Sequence, residues 1–257
     1  ATVRYCGLTI TASTRERMSD TTPARAWRVV LEKIEADLLS GAMGTGDRLP
    51  PERELAATLG VGRSSVREAL RVLEVMGLIR TATGSGPTAG AIVTATPHGG
   101  LAQLLRLQVA AHGFPIPDVY ETRLLLEEWA VAHLAGLEAA DLSDARATLT
   151  AMDAEALTSE EFLALDAQFH LRLTDAAGNI VVAATMAGLR PTIESYIRAG
   201  IERIADWDAT TQRLRHEHGD ILHAIEEGDA ERARSLVRAH ITGYYADAGM
   251  PAPNTGS

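Results

Sequence analysis

The sequence predicts a mostly α protein: a small N-terminal domain of three helices and a β-hairpin, then an all-α antiparallel bundle of about seven helices. Three observations carry that prediction. Aromatic residues make up only 4% of the 257, so Leu, Ile, Val and Ala must build the core. Apolar positions recur at helical spacing through most of residues 22–247, with Gly, Pro, Asp and Asn breaking the runs. Residues 78–93 differ, reading as two short strands around a loop rich in Gly, Thr and Ser.

The elements follow in order. Residues 1–21 lack sustained periodicity and are expected to form a disordered tail; Met18 is a candidate natural start. Thr22-Pro23 starts a helix, and Trp27, Val30, Leu31, Ile34 and Leu38 share one face of it, with Gly41 and Gly44 ending it. Gly46 to Pro51 reads as a loop whose second proline suits the first turn of a helix over Glu52–Leu59. Gly60-Val61-Gly62 is a tight turn, Arg63–Met76 the next helix, and Gly77 its end. Leu78-Ile79-Arg80 and Ala91-Ile92-Val93 are the strands, closing a domain over 22–96. A second domain over 97–248 takes helices near 99–112, 118–138, 141–156, 159–177, 180–203, 208–227 and 229–247. Residues 249–257 read as a second disordered tail.

Charge separates the two domains. The net charge is +1 over residues 1–22, +1 over 23–96 and −12 over 97–257. An acidic C-terminal part repels nucleic acid, so any DNA contact must be local to the first part. No apolar stretch is long and uninterrupted enough to span a bilayer, so no membrane partner is expected. The single cysteine, Cys6, excludes an internal disulfide framework and a thiolate zinc cluster. Residues 1–20 lack the pattern of a secretory signal, so a cytoplasmic location is expected.

A short helix, a glycine turn, a longer helix and a hairpin make a winged helix-turn-helix. Arg63, Arg67 and Arg71 lie four residues apart and form a stripe on the second of these helices, while Val66, Leu70 and Leu73 face inward. Arginine suits a recognition helix because its planar fork grips guanine O6 and N7 together. Ser64 and Ser65, at the helix start, are candidate phosphate donors, and Arg53 on the preceding helix reaches the backbone or a base edge. A solvated arginine face on a structural domain is the bland alternative; the order of elements weighs against it.

Leu49-Pro50-Pro51-Glu52-Arg53-Glu54-Leu55-Ala56, Leu59-Gly60-Val61-Gly62-Arg63 and Val66-Arg67-Glu68-Ala69-Leu70-Arg71 resemble the DNA-binding domain of GntR-family bacterial regulators. The resemblance implies operator contacts by Arg53, Arg63 and Arg67, and a wing glycine in the minor groove, matched here by Gly90. Gly62 stands where the family usually has Ser or Thr, and the wing is longer than usual, without an Arg-Gly-rich tip.

In the second domain, Asp166 and His170 are four apart on one predicted helix and share a face. His218 and His240 lie on two later helices. Three imidazoles and a carboxylate meeting inside a bundle would suit Zn²⁺, Ni²⁺ or Mn²⁺. His112, His133, His216 and His223 read as packed or surface residues. Asp118-Val119-Tyr120-Glu121-Thr122-Arg123-Leu124-Leu125-Leu126-Glu127, Asp166-Ala167-Gln168-Phe169-His170 and Glu217-His218 resemble the FCD effector domain of the FadR subfamily. That resemblance implies that Asp166, His170, His218 and His240 bind a divalent metal. It also implies that Arg123 clamps an effector carboxylate, whereas the residues alone read Arg123 as an intrahelical partner of Glu127. Asn179 caps the next helix first and is the secondary effector candidate.

Together these readings predict a ligand-responsive transcriptional regulator, expected to be a repressor. It would act as a homodimer on an inverted-repeat operator in double-stranded DNA, with a small organic acid as effector. Two alternatives stand beside it: a regulator for which the metal itself is the signal, and a metal-dependent hydrolase. The second lacks the adjacent His-Asp pair that helical phosphohydrolases use, and no general base stands out beside the ligands.

Overall fold

A computed structural model describes residues 23–82, 90–94, 97–111, 114–154 and 156–250. Its elements run α1 (Pro23–Leu39), α2 (Glu52–Leu59), α3 (Arg63–Val75), β1 (Ile79–Ala82), β2 (Gly90–Val93), α4 (Pro97–Ala110), α5 (Ile116–Ala135), α6 (Ser143–Met152), α7 (Ser159–Ala176), α8 (Ile180–Gly200), a 3-10 turn over Ile201–Arg203, α9 (Trp207–Glu226) and α10 (Ala230–Asp247). Every helix expected from the periodicity is present. The expected tail over 1–21 and most of that over 249–257 lie outside the described residues, as does the wing tip, 83–89. The described residues form two compact units, one up to Leu73 with Thr81, Ala82 and Gly90–Val93, the other Glu74–Arg80 with the described residues from Thr94 onward. That division runs through the hairpin rather than falling at residue 96.

In the first unit, α1 buries Val30 and Ile34, α2 buries Leu55, and α3 buries Val66, Ala69, Leu70 and Leu73. Pro51 is the cap before α2 rather than its first residue, its carbonyl accepting from the amides of Glu54 and Leu55. Gly60 ends α2 in the left-handed region at φ 64°, where a side chain would be strained. The segment predicted as a plain loop is part of the sheet. Arg48 bridges antiparallel to Ile92, the Leu49 amide donates to Ala91, and the Val93 amide donates to Asp47. The prolines at 50 and 51 mask this pairing in the sequence, because it ends at Leu49 and only residues 46–49 take part.

The second unit is built around α5, α7, α8, α9 and α10, whose inner faces form one core with Phe162, Phe169, Leu173, Leu214, Ile221 and Ile241. Caps set the helix starts and hence which faces turn inward. Thr158 and Glu161 form a reciprocal capping box at α7. Asp206 accepts from the Ala209 amide at α9, and Asp229 from the Arg232 amide at α10. In α8, Gly188 admits the backbone of α4: a Cβ there would meet Leu105 Cβ at 2.8 Å.

Candidate metal centre and nucleic-acid surface

The stripe on α3 is exposed as predicted: Arg63, Arg67 and Arg71 face solvent, as do Ser64 and, on α2, Arg53. Ser65 does not belong with them. It is 7% exposed and faces the core, four residues before fully buried Ala69, so its hydroxyl is withdrawn from any phosphate. A carboxylate missing from the sequence reading touches the stripe. Glu52 Oε2 accepts from Arg67 Nε at 2.9 Å and lies 3.8 Å from Arg63 Nη2. The proximity of α2's first turn to α3 creates this contact, which no spacing within one helix reveals. Gly90 opens β2 at φ 119°, a conformation that favours glycine.

In the bundle, Asp166 and His170 come from α7, His218 from α9 and His240 from α10. All four are buried, and one ligand atom from each lies within 4.8 Å of all the others. His170 Nε2 and His240 Nε2 are 3.1 Å apart. Asp166 Oδ1 lies 3.1 Å from His218 Nε2, 3.7 Å from His240 Nε2 and 4.0 Å from His170 Nε2. Donors bound about 2.0–2.2 Å from a shared ion stand roughly 3–3.5 Å apart. His218 is fully buried, yet its Nδ1 has no partner and its Nε2 has only the Asp166 carboxylate, out of hydrogen-bond alignment. A buried polar atom without a partner costs stability unless something else binds it. The donor set and this orphaned imidazole both fit a divalent transition metal.

Charge supports the same fit. Burial, with neighbouring His240, pushes the His218 imidazole down to about 4 despite Asp166, so it is neutral at neutral pH, as a ligand must be. Burial works against ionised Asp166, yet His218 and His240 beside it hold its carboxyl well below the usual range. His240 is shifted up: burial opposes this, but Asp166 and Glu217 outweigh it.

Two carboxylates that the sequence reading did not place at the metal stand behind the imidazoles. Glu127 Oε2 lies 2.5 Å from His170 Nδ1, though not in hydrogen-bond alignment, and Glu127 Oε1 accepts from Arg123 Nε at 2.6 Å. Glu217 Oε2 lies 2.8 Å from His240 Nδ1. Burial opposes the charge on Glu127, but Arg123 and His170 bring its pKa down to about 2. Arg123 is thus buried against Glu127, as the intrahelical reading had it. A narrow hollow beside His170 is lined by Arg123, Glu127, Met186, Arg190 and Ile193, with space for about one water molecule. Arg190, absent from the sequence reading, donates to Glu194 at 2.6 Å. Asn179 is not part of this wall. It is exposed, and its side-chain oxygen accepts from the Val181 and Val182 amides as the cap of α8. His216 and His223 are exposed, and exposed His133 stacks on Trp129; His112 lies outside the described residues.

Residues 118–243 match the family model described as FCD domain, and residues 28–88 match that of bacterial regulatory proteins, gntR family. The chain belongs to the GntR family and carries an FCD domain. Its GntR relatives include the HTH-type transcriptional repressor NanR of Klebsiella aerogenes, 28% identical over 85% of this chain and 83% of that one. The Glc operon transcriptional activator of Escherichia coli (strain K12) is 26% identical over 83% of this chain and 85% of that one. An Escherichia coli K12 protein whose name ties it to regulation of the L-lactate dehydrogenase operon is 28% identical over 86% and 85%. The solved structure of a Streptococcus agalactiae GntR protein shares the fold, with a TM-score of 0.54 at 23% identity over 84% of this chain and 97% of that one. This GntR protein is a transcriptional regulator and not an enzyme. No helix among its described residues is long and apolar enough to cross a membrane.

Proposed function

We propose that this GntR-family protein is a homodimeric, FadR-like repressor whose FCD domain holds a divalent metal (Zn, Ni or Mn) and releases an inverted-repeat operator when a small organic acid binds. The observation that carries the sensing half is the convergence of Asp166, His170, His218 and His240 around one buried centre, with Nδ1 of fully buried His218 unpartnered. Arg53, Arg63, Arg67 and Arg71, with Ser64 and the wing glycine Gly90, make the DNA-reading surface, and pairing two such domains doubles the base contacts.

Charge balance favours an acid as effector. With the three imidazoles neutral, as metal binding requires, the buried ionised groups at the centre are Asp166, Glu127 and Arg123, a net charge of one minus. A dication turns this to one plus, and a single carboxylate brings it to neutral, which a buried site strongly prefers. The metal-loaded centre therefore attracts one carboxylate. The hollow, with room for about one water, would have to widen to admit an organic acid, which keeps a second reading open, in which the metal ion is itself the signal. The relatives' names include a repressor and an activator, so the sign of regulation is part of the proposal.

Selecting bound sequences from random duplex DNA, then measuring their affinity with metal removed and restored, with and without lactate and similar acids, tests all of this. An inverted repeat released by acid only in the metal-loaded protein supports the proposal. Release by metal alone moves the assignment to metal sensing. Indifference to both metal and acid sinks the sensing half, and no binding to any duplex sinks the whole.

A further inference from the structure

The four ligand candidates leave two carboxylate–arginine pairs behind them without a role. Glu127 and Arg123 are each about 3% exposed, with Glu127 Oε1 on Arg123 Nε and Oε2 beside His170 Nδ1. Glu217 repeats the pattern on another helix. Its Oε2 meets His240 Nδ1 at 2.8 Å, and its Oε1 accepts from Arg213 Nη1 at 2.6 Å. Arg213 Nη2 then donates to Asp247 at 2.6 Å. In both pairs the carboxylate meets the ring nitrogen turned away from the shared centre, while the two Nε2 atoms stand 3.1 Å apart at the centre itself. His218 has no such partner.

We propose that Arg123–Glu127 and Arg213–Glu217 are outer clamps that hold the imidazoles of His170 and His240 in the orientation and tautomer a metal requires, so that Arg123 serves the metal through Glu127. This rests on the metal reading above. An imidazole that binds a cation through Nε2 keeps its proton on Nδ1, and a carboxylate there fixes both the ring and the proton. Glu127 in turn needs Arg123, because a buried carboxylate without its cation is severely penalised. An effector that drew Arg123 away would leave Glu127 alone against His170, so Nε is committed to Glu127, though the Nη donors are not. Arg190 has no such commitment. It is one-third exposed, and Glu194, its only hydrogen-bond partner among the described residues, is one-quarter exposed.

The test uses Co²⁺ as the probe, since its visible absorption reports the ligand geometry. Full-length protein is stripped of metal and titrated with Co²⁺ against a competing chelator, with circular dichroism as the check on folding. Glu127→Gln and Glu217→Gln should each weaken Co²⁺ about 10- to 100-fold and shift the absorption bands. Arg123→Lys should weaken it about tenfold, although residue 123 touches no metal. Should these single variants unfold, the double variant Arg123→Met/Glu127→Met removes both buried charges at similar volume and should fold and lose affinity equally. Folded variants with unaltered Co²⁺ affinity and spectrum overturn the clamps. Arg123→Lys with normal Co²⁺ binding but no thermal stabilisation by lactate returns Arg123 to the effector. If the unmutated protein binds no Co²⁺, the metal reading itself has failed, which is a separate result.

Discussion

Glu52 on α2 and Glu127 on α5 each hold an arginine, at 2.9 Å and 2.6 Å, yet the two pairs sit in opposite surroundings. Arg67 and Arg63 beside Glu52 are more than half exposed, whereas Arg123 and Glu127 are almost entirely buried. In water-exposed surroundings an ion pair is worth little and is screened by salt, so Glu52 restrains Arg63 and Arg67 only loosely. Inside the bundle each charge depends on the other, because neither has water to fall back on. The same pair of residue types therefore makes an exchangeable clasp in one domain and a fixed part of the frame in the other.

The sharpest way to break this contrast is to remove one member of each pair. Arg123→Ala should destabilise the protein by about 3–5 kcal/mol, read as the denaturation midpoint, because it strands Glu127 in the core. Glu52→Ala should change stability by no more than about 1 kcal/mol. Comparable losses at the two sites would abolish the distinction. Next in size, Arg67→Ala should weaken the selected operator by roughly 1–3 kcal/mol and relax its sequence preference, while dimerisation measured by light scattering stays intact. Unchanged operator affinity would take Arg67 off the reading surface. His218→Ala should lower bound metal, measured by elemental analysis, and with it the response to acid; full occupancy would remove His218 from the ligands. The smallest effect belongs to Glu52→Gln. Freed of the carboxylate, Arg63 and Arg67 should bind non-specific duplex a few-fold more tightly at low salt, with the gain fading as salt rises. A loss of affinity there would mean that Glu52 positions the arginines rather than competing for them.

Much of this was legible before any coordinates. Helices α4 to α10 follow from the spacing of apolar residues and from breakers such as Gly178-Asn179 and Gly228-Asp229, since a helix must bury one stripe and end somewhere. Asp166 and His170 could be paired because four residues make one helical turn. Joining them to His218 and His240 needed the family resemblance, because no local rule brings three helices to one point. Ser65 was misplaced because its polarity outweighed its position, four residues ahead of inward-facing Ala69. Glu127 was seen only as an intrahelical partner, since α5 carries apolar residues on several faces and Leu125, beside buried Leu124, is 71% exposed.

The sequence alone determined which segments are helices, that the N-terminal domain carries the basic stripe and the bundle the acidic charge, and which residue types were available for a metal. These are local properties, set by periodicity, capping and composition. The tertiary structure decided which residues meet: Glu52 with Arg67 across two helices, the backbones of Arg48 and Ile92 in an antiparallel bridge, Glu127 and Glu217 behind two imidazoles of a shared centre. Those pairings depend on how helices are set against one another, and packing fixes that through contacts between residues far apart in the chain.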